Sequence, residues 1–319
     1  MRNILFHICA TLLGLALAFF ALRYTTDLWA PAVVFSLQLH AGVAMMLLAL
    51  FCLALRPGAV SMAMLCATML VVCHAVLMIW NSLPPTFSAG TTSTQSLRVL
   101  SFNVLGENLE NGGAIADYIL QSGADIAYVM EAAPVGLHLD RLSKTFPYRI
   151  GCGDHTSTCD LLLLSKYPLE MVYVGNLSDL RKDRFATARI HLGSVTLSLA
   201  AAHLSKPYFD KYHTNELAGL GEALSKIDGP LVLAGDFNAA TIAPDMQGLL
   251  KRTGLTTAGL EPATWPIGAG ILGVPIDHIF IRMPVMAQKL SRIPSSFGSN
   301  HHGLIADLTV PNGGLLPGL

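Results

Sequence analysis

Charge is nearly absent from the first quarter of the chain. Before residue 81 the only Asp, Glu, Lys or Arg residues are Arg2, Arg23, Asp27 and Arg56, leaving apolar runs at 3–22, 31–55 and 59–80. At about 1.5 Å rise per residue, each run is long enough to cross a hydrocarbon core of roughly 30 Å. This excludes an ordinary soluble fold for the segment. A cleaved signal peptide would account for the first run but not for two more. The runs hold no acidic or basic side chain, only the imidazoles of His7, His40 and His74. Transport would place more polar groups at that depth, so the runs read as an anchor.

Cysteine is also scarce. Cys9, Cys52, Cys66 and Cys73 lie in the apolar runs, where the residue behaves as a small hydrophobe. That leaves Cys152 and Cys159, in "GCGDHTSTCD", for the rest of the chain. The pair reads as a disulfide closing a short polar loop in an oxidising compartment. A metal site is the rival, although no further cysteine completes a tetrahedral set. A basic excess is missing too: residues 97–319 carry 17 Lys and Arg against 20 Asp and Glu. No broad cationic surface for nucleic acid is expected. Solenoid repeats and long low-complexity tracts are absent.

The charges that exist vote on orientation. Arg2 and the Arg56-Pro57-Gly58 turn favour the cytoplasm, so three crossings place everything after residue 80 outside it. The expected arrangement is a three-helix transmembrane anchor (1–80), a polar Pro-Pro-containing linker (81–96), a single-core domain (97–312) and a short tail (313–319).

Within the domain, "LRVLSFNV" and "ADIAYVME" read as buried strands around an amphipathic segment, "GAIADYILQSG". "PVGLHLDRLSKTF" reads as a second helix. "DLLLLS", "EMVYV", "RFATARIHL" and "SVTLSLAAAHL" read as antiparallel neighbours, and a helix near 212–226 leads into "PLVLAGD". "IDHIFI" and "GLIADLTV" close the domain as strands.

These strands repeatedly end on polar side chains: Asn103, Glu131, His203, then Asp236 and Asn238, with Asp277 and His278 opening "IDHIFI" and Asn300, His301 and His302 preceding "GLIADL". One such residue is a turn or a satisfied core histidine. Six strand ends of this kind describe a polar site at one rim of a sheet, because buried charge is costly unless paired or bound to metal. Asp236 and Asn238 are two apart in extended chain and so face the same way.

The ordered motifs "LSFNV", "ADIAYVMEA", "LLLLSKYPL", "AAHL", "GDFNA", "IDHIFI" and "SNHHGLIADL" together resemble the endonuclease/exonuclease/phosphatase superfamily over roughly 97–310. The resemblance implies a four-layer α/β sandwich, two packed mixed β-sheets flanked by helices. It also implies a Mg²⁺-dependent phosphoester hydrolase, with Mn²⁺ as a substitute. The implied metal ligands are Asn103, through its carbonyl oxygen, Glu131 and Asn300. The implied catalytic residues are His203, Asp236, Asn238, Asp277 and His301, with Asp277 pairing His301. Asn300 stands where relatives carry aspartate, which weakens a second metal site, and His302 leaves the register of His301 open.

Trp265, in the loop "EPATWPIGAG", either packs on substrate or anchors the loop. Ser165 carries no assigned chemistry, and Arg181, Lys182 and Arg184 form either an anion-attracting cluster or a solvated turn. The implied partners are the lipid bilayer and a phosphoester substrate, nucleic acid or phospholipid, with no obligate protein partner. The implied location is a bacterial inner membrane with the domain on its outer side. A lipid phosphodiesterase or phosphatase, or a binding module that has lost turnover, are the alternatives.

Overall fold

The computed structural model describes residues 1–26, 28–85 and 93–312. Asp27, residues 86–92 of the expected linker and the tail lie outside these residues. Among the described residues, three helices are long and apolar enough to cross a membrane: α1 (Arg2–Ala21), α3 (Gln38–Leu55) and α4 (Ala59–Ser82). The second apolar run is not one helix as expected. It forms a short α2 (Ala32–Ser36), breaks at Leu37 (φ −96°, ψ 11°) and restarts as α3. The break frees Gln38 to donate to the Val71 carbonyl of α4.

The domain contains two six-stranded sheets. The first runs β11 (Met286–Arg292), β12 (Leu304–Pro311), β1 (Thr94–Asn103), β2 (Ile126–Met130), β4 (Leu161–Ser165), β3 (Tyr148–Gly151). The second runs β5 (Glu170–Gly175), β6 (Phe185–Leu192), β7 (Val195–His203), β8 (Leu231–Asp236), β10 (Asp277–Arg282), β9 (Thr256–Thr257). Their inner faces interdigitate through Val99, Tyr128, Leu163, Leu197, Val232 and Ile279. Helix α5 (Gly112–Gln121), with the short α6 (Ala133–Gly136) and α7 (Leu139–Leu142), covers the first sheet. Helices α8 (Tyr212–Ser225) and α9 (Pro244–Thr253) cover the second. This is the four-layer sandwich. Each fully buried Leu, Ile or Phe contributes roughly 1.5–3 kcal/mol to it.

Three expectations are corrected. "PVGLHLDRLSKTF" is split into α6 and α7, because His138 leaves helical geometry (φ −119°, ψ 19°). "DLLLLS" is not a neighbour of "EMVYV": β4 pairs with β2 and β3 in the first sheet, and the chain crosses to the second sheet before β5. Helix α9 was not anticipated, although Pro244 in its first turn and left-handed Gly254 at its C-cap are the usual punctuation.

The sheet order fixes where the polar strand ends lie. Parallel β7 and β8 pair His203 with Asp236, and antiparallel β8 and β10 pair Asp236 with Asp277. Parallel β1 and β2 bring Asn103 beside Met130, one residue before Glu131.

Candidate active site

Asp236 lies at the centre of the polar cluster. One carboxylate oxygen, Oδ1, accepts the Asn238 backbone N–H at 2.8 Å. The other, Oδ2, accepts Asn103 Nδ2 at 2.9 Å and lies 3.9 Å from the Nε2 atoms of both His203 and His301. Each imidazole is held from behind. His203 Nδ1 donates to Asp160 Oδ2 and His301 Nδ1 donates to Asp277 Oδ2, both at 2.9 Å. Carboxylates only accept, so each Nδ1 carries the proton and each Nε2 is turned towards Asp236.

The backbone makes this convergence feasible. Gly235 lies so close to β7 that a Cβ there would sit 1.7 Å from the Ala202 carbonyl oxygen, so no side chain fits. That approach brings Asp236 level with His203. Glu131 and Asn238, at φ 53° and 51°, turn sharply out of their strands in left-handed geometry that non-glycine residues seldom adopt. Ser299 ties the last motif to the first, donating to the Asn103 carbonyl at 2.7 Å and accepting the His301 N–H at 3.0 Å.

Burial pulls the His301 imidazole down, but Asp277 and Asp236 outweigh it and the group is pushed up to about 9. A cation at neutral pH suits contact with a phosphoryl oxygen better than proton abstraction. Burial likewise pushes Asp160 up, yet His203 and Arg184 hold it below the usual carboxylate range. Arg184 is bound through two contacts, at 2.8 and 3.0 Å. Asp160 escaped the sequence reading because it follows Cys159 in what looked like a loop. Its one signal was a strand opening on an acid, as Asp277 opens β10.

The side-chain carbonyl oxygen of Asn103 accepts the Leu105 N–H at 3.0 Å, while its nitrogen bridges Asp236 and Glu131 at 2.9 and 3.2 Å. Glu131 also accepts the Gly106 N–H at 2.8 Å. Asn300 is exposed, one residue from His301, and outside this hydrogen-bond network. His302 binds the Thr264 carbonyl through its backbone; it is His301 that meets Asp277. His278 is fully buried against Glu261 and the Ala239 carbonyl, on the other face of β10. Trp265 is half-buried against Val274 and the end of α4, and shares a small cavity with Asn238 and Tyr208. Cys152 and Cys159 are disulfide-bonded.

Asp236, Asp277 and His301 present donor atoms within 4.8 Å of one another, and Asp277 Oδ1 is buried with no hydrogen-bond partner among the described residues. An orphaned carboxylate oxygen in an acidic cluster fits a divalent cation. Next to the cluster, a cleft of about 630 Å³ is lined by Glu131, His203 and Asn238 and by the cations Arg181, Arg184 and Lys206.

A model of the Endonuclease/Exonuclease/phosphatase family matches residues 100–301. Among solved structures, the chain is similar to D. rerio TDP2 complexed with a single-strand DNA product, with TM-score 0.56 and 19% identity over 67% of this chain and 98% of that one. It is also similar to an endonuclease/exonuclease/phosphatase from Beutenbergia cavernae, with TM-score 0.54 and 16% identity over 68% and 72%. At these identities the likeness is one of fold. Among curated proteins, 67 residues are 36% identical to a cytidine deaminase of Vibrio vulnificus, covering 21% of this chain and 23% of that protein. A stretch of 100 residues is 30% identical to a UPF0294 protein of Vibrio parahaemolyticus, covering 31% and 34%. The chain thus spans only between 23% and 34% of the length of these curated relatives.

Proposed function

The chain belongs to the endonuclease/exonuclease/phosphatase family, and on that premise we propose that it is a membrane-anchored, divalent-metal-dependent phosphoester hydrolase. The observation that carries this reading is the convergence of two Asp-backed imidazoles on Asp236, each 3.9 Å from the same oxygen.

Hydrolysis requires a water oriented in line with phosphorus and neutralisation of the charge on the transferring group. Asp236 orients that water and accepts its proton. Protonated His301 and the free amide N–H of Asn238 donate to phosphoryl oxygens. His203, oriented by Asp160, faces the leaving oxygen. The water oxygen bonds to phosphorus, one P–O ester bond breaks, and the proton ends on the departing alkoxide, giving a phosphate and an alcohol. Glu131, Asp236 and the free oxygen of Asp277 would hold a Mg²⁺ or Mn²⁺, which when bound supplies Lewis-acid neutralisation of phosphoryl charge. Arg181, Arg184 and Lys206 attract the anionic substrate into the cleft.

The three apolar helices form the anchor (1–80), with the catalytic domain at 97–312 on the outer side of a bacterial inner membrane. Arg2 and Arg56 on the opposite side support this orientation, as does the Cys152–Cys159 disulfide, which suits an oxidising compartment. The substrate is a phosphoester from a nucleic acid, in keeping with the DNA product bound by D. rerio TDP2, or from a phospholipid. The test is hydrolysis of bis-p-nitrophenyl phosphate by the full chain with Mg²⁺ and with EDTA, alongside His301→Ala and Asp236→Ala. Metal-dependent turnover lost in both variants is expected. No turnover under any metal would favour a binding module instead.

A further inference from the structure

The rim of the domain that carries β8 and β10 is bolted to one end of the helix bundle. Arg23 donates to the Ile242 carbonyl at 2.8 Å, the Ala240 N–H to Ser36 at 3.2 Å, and Thr257 to the Ser82 carbonyl at 3.0 Å. Helix α3 starts and α4 ends at this level, so the apolar spans stop here. Beside them projects the loop 259–273, whose second half is closed by Trp265 and Val274 pairing through their backbones. Its one charge, Glu261, is turned inward onto His278. Its tip is apolar and bare: Leu260 is 71% exposed, Ile271 90% and Leu272 71%. Solvated loops of this size seldom present such a patch.

Behind the loop, Leu260 and Ile271 share a cavity of about 260 Å³ with Leu39 of α3 and Ile79 of α4, and no Lys or Arg lines it. A second cavity, of about 60 Å³, joins Leu37 at the α2–α3 break to Trp265, Tyr208 and Asn238 of the active site. A largely apolar space beside the membrane spans thus adjoins the candidate catalytic cluster, with Ser36 and Val274 lining both cavities.

We propose that loop 259–273 beds in the adjacent leaflet and that the seam cavity takes a lipid acyl chain, so that the phosphoester reaching Asn238 and His301 is that of a membrane lipid. The proposal rests on the hydrolase reading above and selects its substrate class. Contact with the spanning helices and the lack of Lys or Arg in the lining of the cavity favour a lipid chain over nucleic acid there.

The test uses the full chain in nanodiscs of phosphatidylethanolamine and phosphatidylglycerol. A photo-crosslinking residue replaces Ile271, or Tyr173 on the far edge strand β5 as a control. Lipid adducts at 271 and not at 173 are expected. In the Ile271→Asp/Leu272→Asp double variant, hydrolysis of disc lipid should fall at least about tenfold while bis-p-nitrophenyl phosphate turnover stays within about twofold, since remote binding energy is used only by the lipid. The proposal is overturned by a 271 adduct to protein in place of lipid, by unchanged lipid turnover in the double variant, or by a wild type that cleaves single-stranded DNA but no disc lipid. A wild type inert even towards bis-p-nitrophenyl phosphate, yet forming the lipid adduct at 271, would sink the hydrolase reading and support the lipid site.

Discussion

Asp160 accepts the Nδ1–H of His203 across 2.9 Å, from a position directly after the disulfide-bonded Cys159. Arg184 grips the same carboxylate, so a loop residue becomes a fixed support for an imidazole facing Asp236. Asp160→Asn should therefore lower kcat on bis-p-nitrophenyl phosphate by about a hundredfold, with KM changed much less, because tautomer and orientation of His203 are lost. An unchanged kcat would remove His203 from the chemistry.

The disulfide closes a loop of seven residues' separation. On the loop-entropy account, Cys152→Ser/Cys159→Ser should lower stability by about 2–3 kcal/mol. The measurement is chemical denaturation of the detergent-solubilised chain. Reducing agent should bring the wild type to the variant's midpoint and leave the variant unmoved.

Gly235 admits no side chain against the Ala202 carbonyl. Gly235→Ala should cost about 1–3 kcal/mol by overpacking and should also reduce turnover, because β8 must withdraw from β7 and carry Asp236 away from His203. Gly248→Ala is the control, in helix α9 where an added Cβ meets nothing within 4 Å. It should leave stability level or raise it by up to about 1 kcal/mol.

His301 has its folded value raised from 6.5 to about 9 by Asp277 and Asp236 against the pull of burial. A raised pKa means the folded state binds the proton more tightly than the unfolded chain. The stabilisation from this pairing is complete below about pH 6.5 and is lost as pH rises through about 9. In EDTA, urea midpoints should fall over this window by an amount on the order of 1–3 kcal/mol, and His301→Gln should flatten the fall. An equal slope in that variant would assign the pH dependence elsewhere.

Metal binding at the cluster should stabilise the folded chain independently of turnover. Saturating Mg²⁺ or Mn²⁺ at about a hundred times its Kd corresponds to about 2.7 kcal/mol. A rise in Tm over the EDTA sample is expected for the wild type and should shrink in Asp236→Asn. Equal rises in both would place the ion outside this cluster.

Much of this protein was legible along the chain. The apolar runs marked α1, α3 and α4, because spanning hydrocarbon demands length and apolarity that no soluble helix needs. The strands ending on Asn103, Glu131, His203 and Asp236 stood out, because an apolar strand stopping on an ionisable group is a local pattern. One strand pairing was misjudged. Whether "DLLLLS" joins "EMVYV" or "ADIAYVME" is decided by hydrogen bonds between segments distant in sequence, and buried strands of similar composition carry no label for their neighbours.

The sequence by itself determined that there would be three helices long and apolar enough to cross a membrane, a layered α/β domain and a set of polar strand ends, since hydrophobic length and periodicity are properties of single segments. Only the tertiary structure decided that Asp160 would hold His203, that Asn103 would turn its nitrogen to the carboxylates, and that the loop 259–273 would stand beside the domain-facing ends of the apolar helices. Such relations depend on register and on which sheet a strand joins, and those follow from packing the whole chain at once.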